Sequence, residues 1–489
     1  MFGIVLLLFF AQKNASFGQR LDPRLAQLDS VVQVLIQTYP VAGVNIVAVS
    51  QEQIIFNKGY GYADVAKKIP LDDKTSLYIA SNTKAFIGLS MAQLIADKKI
   101  SLADPITKFI NRSLFPDSIA VENITIKDLL GHTTDLIIEP LVFRTAHSGE
   151  IRAEEFEKLL QYTQYRNHPT VKEYRYSNVG YLLAGLIIEK VTGVTWKAYV
   201  KKNVFEPLGM YHTSPFLIDV QRNKQTIALP YSLCNPGIAL PLQKTDKTMH
   251  AAGGLLSTTE DMGRWLRFFI NGGTLDTKPV FHQAVYRQTR EKLVDYNDQL
   301  GAFEQSGYGF GWVFANRNEE SLYLHAGSYV GMHSLMSFMP EHNIGIFVYV
   351  NDDVIGIIMA AMIHNFFYDT WLKKENTSDN KAFLTKFIDE ARDNACASVE
   401  RKRMIATSET EKMAGTYYSE KYGTLTISIN SAREWELQLG ELKSGGFASK
   451  TPSELIVEWI PRHPERIIFD LEKKCIAYED WEIFCRKID

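Results

Sequence analysis

The stretch Tyr78-Ile-Ala-Ser81-Asn-Thr-Lys84-Ala-Phe-Ile-Gly-Leu-Ser-Met-Ala-Gln-Leu-Ile-Ala96 carries one charge, Lys84, among apolar neighbours. Its apolar positions are too dense for a one-faced helix, so the pattern predicts a helix buried on most sides. A lysine rarely enters such surroundings unpaired, because stripping water from an ammonium is costly. Ser81 stands at the helix start, where a cation in the first turn opposes the macrodipole. Residues three apart share a helix face, so Lys84 points at the Ser81 hydroxyl. Desolvation and the helix start both push the amine towards its neutral form, which can accept a proton. That is a recipe for an activated serine.

The same residues also fit a plainer role, with Ser81 an N-cap and Lys84 a snorkelling stem. Ser-x-x-Lys recurs at Ser378-Asp-Asn-Lys381, inside the polar run 373–381 where both groups would be solvated. On this stretch alone both readings stand. An activated serine further needs a second proton carrier and an oxyanion hole. Tyr176-Ser-Asn178 offers a phenol for proton transfer and an amide to bind a carbonyl. His325-Ala-Gly327 closes a predicted strand, where a glycine lets substrate approach the backbone. Each short motif has a decoy: Tyr165-Arg-Asn167, Tyr349-Val-Asn351 and His147-Ser-Gly149.

Positioning these groups requires a framework. Residues 25–39 read as a helix, followed by strands over 44–49 and 54–59. After the Ser81 helix, residues 151–165 are helical by pattern until Asn167-His-Pro breaks them. A second apolar helix spans 179–192, closed by Gly193, and Ser257-Thr-Thr-Glu-Asp caps a third that runs through Phe269. Tyr308-Gly-Phe-Gly-Trp312 begins a run of strands, with 322–327, 333–339 and 344–350 the expected set. Asp352-Asp353 then caps an apolar helix over 354–372. Pairing early and late strands in one antiparallel sheet, with helices on its faces, buries both sets and gives an α/β (α+β) domain.

From Gly415 the pattern changes to alternation at Leu425/Ile427/Ile429, Trp435/Leu437/Leu439, Leu455/Val457/Trp459 and Trp481/Ile483/Cys485, which predicts a small all-β barrel or sandwich. The expected organisation is a leader over 1–18, a main domain over 19–372, a charged linker over 373–412 and a small β-domain over 413–489. The leader is Phe2-Gly-Ile-Val-Leu-Leu-Leu-Phe-Phe-Ala11, with Ser16 and Gly18 placed for a cut before Gln19, and it points to secretion. Asn111-Arg-Ser113, Asn123-Ile-Thr125 and Asn376-Thr-Ser378 would then be glycosylation acceptors. Over all 489 residues 46% are hydrophobic and 22% charged, and the net charge of −3 suggests no nucleic-acid or anionic-membrane partner. No internal apolar run reaches membrane-spanning length. Of the four cysteines, Cys475 and Cys485 flank an expected hairpin and could pair. No cysteine-histidine spacing resembles a zinc site.

Taken in order, Ser-x-x-Lys opening a buried helix, Tyr-x-Asn before a helix and His-x-Gly on a strand resemble the serine β-lactamase and penicillin-binding-protein group. Ile79-Ala-Ser-Asn-Thr-Lys-Ala85, Asp128-Leu-Leu-Gly-His-Thr133, Tyr176-Ser-Asn-Val-Gly-Tyr181, Pro207-Leu-Gly-Met210, Ala252-Gly-Gly-Leu255 and Tyr308-Gly-Phe-Gly-Trp312 agree with it across about residues 25–372. Class C β-lactamases, D-amino-acid-recognising peptidases and esterases of that fold look most similar, and the tail resembles the lipocalin-like domain of some members. The resemblance implies that Ser81 is the acylated nucleophile and Lys84 its partner. Tyr176 would be the general base and then the acid towards the leaving group, and Asn178 would bind the acyl-side amide or carbonyl. The oxyanion hole would be the amides of Ser81 and of Ser328, which follows Gly327. No metal or organic cofactor is implied, and the partner is a small-molecule or peptide substrate. His325 replaces the lysine that β-lactamases and carboxypeptidases use to engage a substrate carboxylate, as in the esterases and several peptidases. Pro169-Thr-Val-Lys replaces the usual Pro-Gly before the tyrosine motif. The expectation is a secreted serine hydrolase of esters or amides, esterase or peptidase rather than efficient β-lactamase. The alternatives are a D-amino-acid peptidase or weak β-lactamase, and a binding or sensor protein that turns over slowly or not at all.

Overall fold

The computed structural model describes residues 22–167, 172–374, 388–393, Cys396 and 402–486, apart from positions 409, 450, 452, 462, 471, 474 and 479–481. The leader, the Ser378 decoy, the sequon at Asn376, most of Pro169-Thr-Val-Lys and much of the 373–412 segment lie outside the described residues.

The first domain is organised on an antiparallel sheet. Its strands run in the order Val294–Leu300, Phe303–Gly309, Trp312–Arg317, Glu320–Tyr329, Met332–Met339, Ile344–Val350, Gly43–Ser50, Ile54–Asp64 and Ile69–Pro70. The first long strand lies against the last, from Val44 opposite Val350 to Ser50 opposite Ile344. These two central strands are apolar on both faces and read as continuous hydrophobic runs, because helices cover both sides. Helix Thr259–Ile270 packs on the face of Gly345, where an added Cβ would sit 3.2 Å from Ile270. Helix Gly356–Leu372 covers the other face, where Tyr368 and Ser337 share a hydrogen bond of 2.8 Å. Helix Pro23–Thr38 packs beside it.

Helix Thr83–Ala96 is buried along nearly its whole length, as the density of apolar positions requires. Glycines set its depth. A Cβ at Gly88 would lie 2.0 Å from the Phe310 carbonyl oxygen. One at Gly311, which has φ +83°, would lie 2.4 Å from the Lys84 and Ala85 backbone. The Tyr308-Gly-Phe-Gly-Trp312 motif is therefore the hairpin turn on which the Ser81 helix rests.

Three expectations are corrected. Two strands, Val294–Leu300 and Phe303–Gly309, precede the one expected to begin the late run. They form an edge hairpin whose first strand is largely exposed, so it lacks the apolar alternation that marks a half-buried strand. The expected helix over 151–165 is α-helical only from Ala153 to Lys158, then tightens to a 3₁₀ turn and a short strand at Gln164–Tyr165. In the last strand Phe484 points inward and Ile483 is 64% exposed, the reverse of the expected faces. A one-residue offset inverts every side chain of a strand.

The C-terminal sheet is nearly closed into a barrel. Its order runs from Leu442–Gly445 through Trp435–Leu439, Gly423–Ile429, Gly415–Ser419, Glu482–Arg486, Cys475–Tyr478, His463–Asp470 and Glu454–Ile460 to Phe447–Ala448. The two ends are joined through Gly446, and Glu458 N–H donates to Ser444 Oγ across the seam (2.8 Å). Cys475 and Cys485 stand directly opposite each other and form a disulfide. A second disulfide, Cys234–Cys396, fastens the segment between the domains to the first domain, and Ile388 of that segment is buried in the first domain's core.

Candidate active site

Ser81 sits in a single 3₁₀ turn, Ala80–Asn82, that runs into helix Thr83–Ala96. Ala80 takes a left-handed conformation, φ +46°, at a cost of about 1–2 kcal/mol for a residue with a Cβ. The surroundings hold it there. Ser334 Oγ donates to the Ile79 carbonyl (3.1 Å), Asn82 Nδ2 donates to Ser334 Oγ (2.7 Å) and Ile79 N–H donates to Leu255 O (3.1 Å). Gly327 lies opposite Ser334 on the adjacent strand, and a Cβ there would stand 2.2 Å from the Ile79 carbonyl oxygen. Only glycine lets that strand close on the nucleophile turn.

Lys84 is 0% exposed, and its Nζ contacts Ser81 Oγ (3.1 Å), Asn178 Oδ1 (2.9 Å) and the Ala252 carbonyl (2.7 Å). None of these partners carries a negative charge. Burial holds the amine well below its ordinary pKa. Both helices whose first turns meet at this nitrogen, Thr83–Ala96 and Asn178–Thr192, also disfavour a cation there. A neutral amine has two N–H bonds and one lone pair. With Ala252 O and Asn178 Oδ1 taking the N–H groups, the lone pair faces the Ser81 hydroxyl. Such an amine can take the serine's proton as the oxygen attacks a carbonyl carbon.

Asn178 is placed by a capped helix start, where Ser177 Oγ accepts from Val179 N–H (3.2 Å). Tyr176 stands beside the pair, its ring centre 4.7 Å from Lys84 Nζ. Burial of its surroundings raises the phenol's pKa, and a hydrogen bond from Ser81 opposes the rise. Tyr176 is 40% exposed, which weakens the upward push without reversing it, so the resting side chain is a neutral phenol. His325 lies one layer back. Its Nε2 pairs with Tyr308 Oη (3.0 Å) and its Nδ1 with the Ala326 carbonyl (2.7 Å). Burial, then the nearby Lys84, pushes its pKa down to about 3. Ser328 is exposed, and its hydroxyl pairs with His333 Nδ1 (3.0 Å).

Ser81 and Lys84 thus meet Tyr176 and Asn178 from a second stretch, and a third supplies Gly327, which closes the turn, with His325 behind. Residues given no role from sequence complete the wall. His132 packs its ring against Tyr176 and Tyr308, each 4.6 Å between centres, and its Nδ1 accepts from Ser177 N–H (3.3 Å). Burial and Lys84 hold it neutral as well. His132, Tyr308 and Ala252 lie in motifs that were visible as motifs. Asn82 lies in the Ile79–Ala85 motif as well, and nothing local marked Ser334.

The beta-lactamase family model matches residues 28–356. The chain belongs to that family. Among curated relatives it is similar to protein flp of Staphylococcus aureus (strain COL), 29% identical over 325 residues, 66% of this chain and 62% of flp. It is 27% identical over 223 residues to the putative penicillin-binding protein PbpX of Bacillus subtilis (strain 168), 45% of this chain and 53% of PbpX. The chain therefore spans less than two thirds of the length of these relatives. Its fold is similar to that of the octameric penicillin-binding protein homologue from Pyrococcus abyssi, with TM-score 0.61 and 22% identity over 94% of this chain and 99% of that one. The match extends over both domains.

Proposed function

We propose that this protein is a secreted serine hydrolase that cleaves carboxylic esters through an acyl-enzyme on Ser81. The observation that carries the reading is the buried, charge-unpaired Lys84 with its nitrogen 3.1 Å from the Ser81 hydroxyl. Ser81 Oγ attacks the carbonyl carbon while its proton passes to Lys84 Nζ. The carbonyl oxygen becomes the oxyanion, received by the Ser81 and Ser328 amides, and Asn178 holds the acyl side. On collapse the C–O bond to the alcohol breaks, and the alkoxide takes a proton from Tyr176, which Lys84 then restores. Water then attacks the acyl carbon as Lys84 Nζ takes its proton. The C–O bond to Ser81 breaks, and Ser81 Oγ recovers that proton from Lys84, releasing the acid. This order gives Tyr176 the acid role and Lys84 the base role, because a raised phenol pKa makes a poor resting base.

The preference for esters over carboxylate-bearing amides rests on His325. A histidine with pKa about 3, hydrogen-bonded on both nitrogens, offers no positive charge to a substrate carboxylate. Secretion is supported by the two disulfides and by exposed Asn111 and Asn123 in their sequons. The test is incubation with a fluorophosphonate and, separately, a labelled penicillin, read by mass spectrometry. The proposal predicts a single adduct on Ser81, lost in Ser81→Ala, with turnover of short p-nitrophenyl esters exceeding that of D-peptides and β-lactams. A label that survives Ser81→Ala would sink it. A stable adduct without turnover of any of the three substrates would favour a sensor.

A further inference from the structure

Lys244 is a second lysine buried without a carboxylate, 8% exposed and absent from the chemistry above. Its Nζ donates to the Ala146 carbonyl (2.6 Å) and lies 3.8 Å from the centre of the Tyr329 ring and 5.0 Å from that of Tyr78. The two rings meet edge to face at 5.5 Å. Their places in the chain give the contact its meaning. Tyr78 leads through Ile79 and Ala80 into Ser81, and Tyr329 directly follows Ser328. These are the two backbone segments whose amides would receive the oxyanion.

We infer that Lys244 is a positioning residue that clamps the Tyr78 and Tyr329 segments together and so fixes the spacing of the oxyanion hole, with the C-terminal domain holding the clamp in place. This rests on the acyl-enzyme reading. Burial holds the Lys244 amine well below its ordinary pKa, and the N–H groups of an amine over two ring faces make their contacts without needing a fixed fork geometry.

The C-terminal domain enters through Ala146 and its neighbours. His147 also stacks on Tyr329, ring centres 5.8 Å apart. The segment carrying both is gripped by two barrel turns. The Glu150 carboxylate accepts from Thr424 N–H (2.8 Å), beside Gly423, where a Cβ would stand 2.4 Å from Glu150. Glu441 N–H donates to Ser148 O (2.7 Å), beside Gly440, where a Cβ would stand 2.1 Å from that oxygen. Lys247 and Glu441 add an ion pair at 2.7 Å, and Phe143 packs its ring on Tyr422. Two glycines at close approach make this a fitted joint rather than a loose contact.

The experiment uses the full chain and p-nitrophenyl acetate. Lys244→Met and Tyr329→Leu are each expected to lower kcat by about 10- to 100-fold with KM little changed, since a small misplacement of an oxyanion donor costs that much. The double variant should be no worse than the weaker single one, because both break one contact. Tyr329→Phe keeps the ring and loses only a hydroxyl that has no partner among the described residues, so it should retain kcat. Should Lys244→Met fail to fold, the Tyr329→Leu and Tyr329→Phe pair carries the test, and equal kcat in those two overturns the clamp. Wild-type kcat in Lys244→Met overturns it while leaving the Ser81 chemistry standing. No Ser81-dependent turnover in the parent protein overturns both.

Discussion

Both domains are built on nine antiparallel strands among the described residues, yet their interiors differ in polarity. The first sheet closes over Lys84, Lys244, His132, His250, His325 and His364, all under a tenth exposed. The barrel's centre holds Tyr417, Leu425, Trp435, Leu437, Leu455, Val457, Trp459 and Phe484. Buried titratable groups cost stability, and here all but His364, which lies on helix Gly356–Leu372, gather where two lysines stand beside the nucleophile turn. The barrel is filled with large apolar side chains and makes its polar contacts at its rim, against the 143–150 segment. One domain bears the strain of chemistry and the other supplies a rigid brace.

Substitutions should therefore separate chemistry from stability in opposite senses. Lys84→Met is expected to slow acylation of Ser81 by about 10²–10⁴-fold while the melting temperature stays level or rises, because an apolar side chain replaces a desolvated amine. Label kinetics with parallel calorimetry measure both, and a large loss of stability would contradict the neutral, unpaired Lys84. Trp435→Ala should do the reverse. Emptying the barrel centre costs about 3–5 kcal/mol in denaturant titration, with Ser81 labelling retained wherever the barrel remains folded. Gly327→Ala falls between, losing about 1–3 kcal/mol and most of the activity, because its Cβ collides with the Ile79 carbonyl beside the nucleophile. Acid sharpens the contrast. His325 and His364, held to pKa values of about 3 and about 4, are neutral when folded and charged when unfolded between those values and 6.5. Stability of the first domain should fall as pH drops below 6.5, by about 1.4 kcal/mol per unit for each such histidine. Hydrogen exchange should show the barrel less affected, and equal loosening of both domains would remove the distinction.

The order Ser81, Lys84, Tyr176, Asn178 and His325 could be read from sequence because the first four stand at or beside a helix start with a local signature, while His325 lies within a strand that runs two residues past its expected end at Gly327. The central sheet was legible for the same reason, its strands being apolar runs between turn residues. What escaped was long-range or edge-bound. Lys244 acts through Tyr78 and Tyr329, more than eighty residues away on either side, and no local pattern marks it. The Cys234–Cys396 disulfide spans 162 residues, beyond any spacing argument. The Val294–Leu300 edge strand is polar because it faces solvent, and the last barrel strand offered apolar residues on both faces, leaving its register ambiguous.

The central claim is that a neutral Lys84 activates Ser81, and the pH dependence of Ser81 acylation by a fluorophosphonate tests it most directly. The account predicts a rate that rises with pH along a limb well below the ordinary lysine value, already substantial at pH 7, and a limb that disappears in Lys84→Met. A limb at the ordinary lysine pKa, or one unchanged in Lys84→Met, would contradict it.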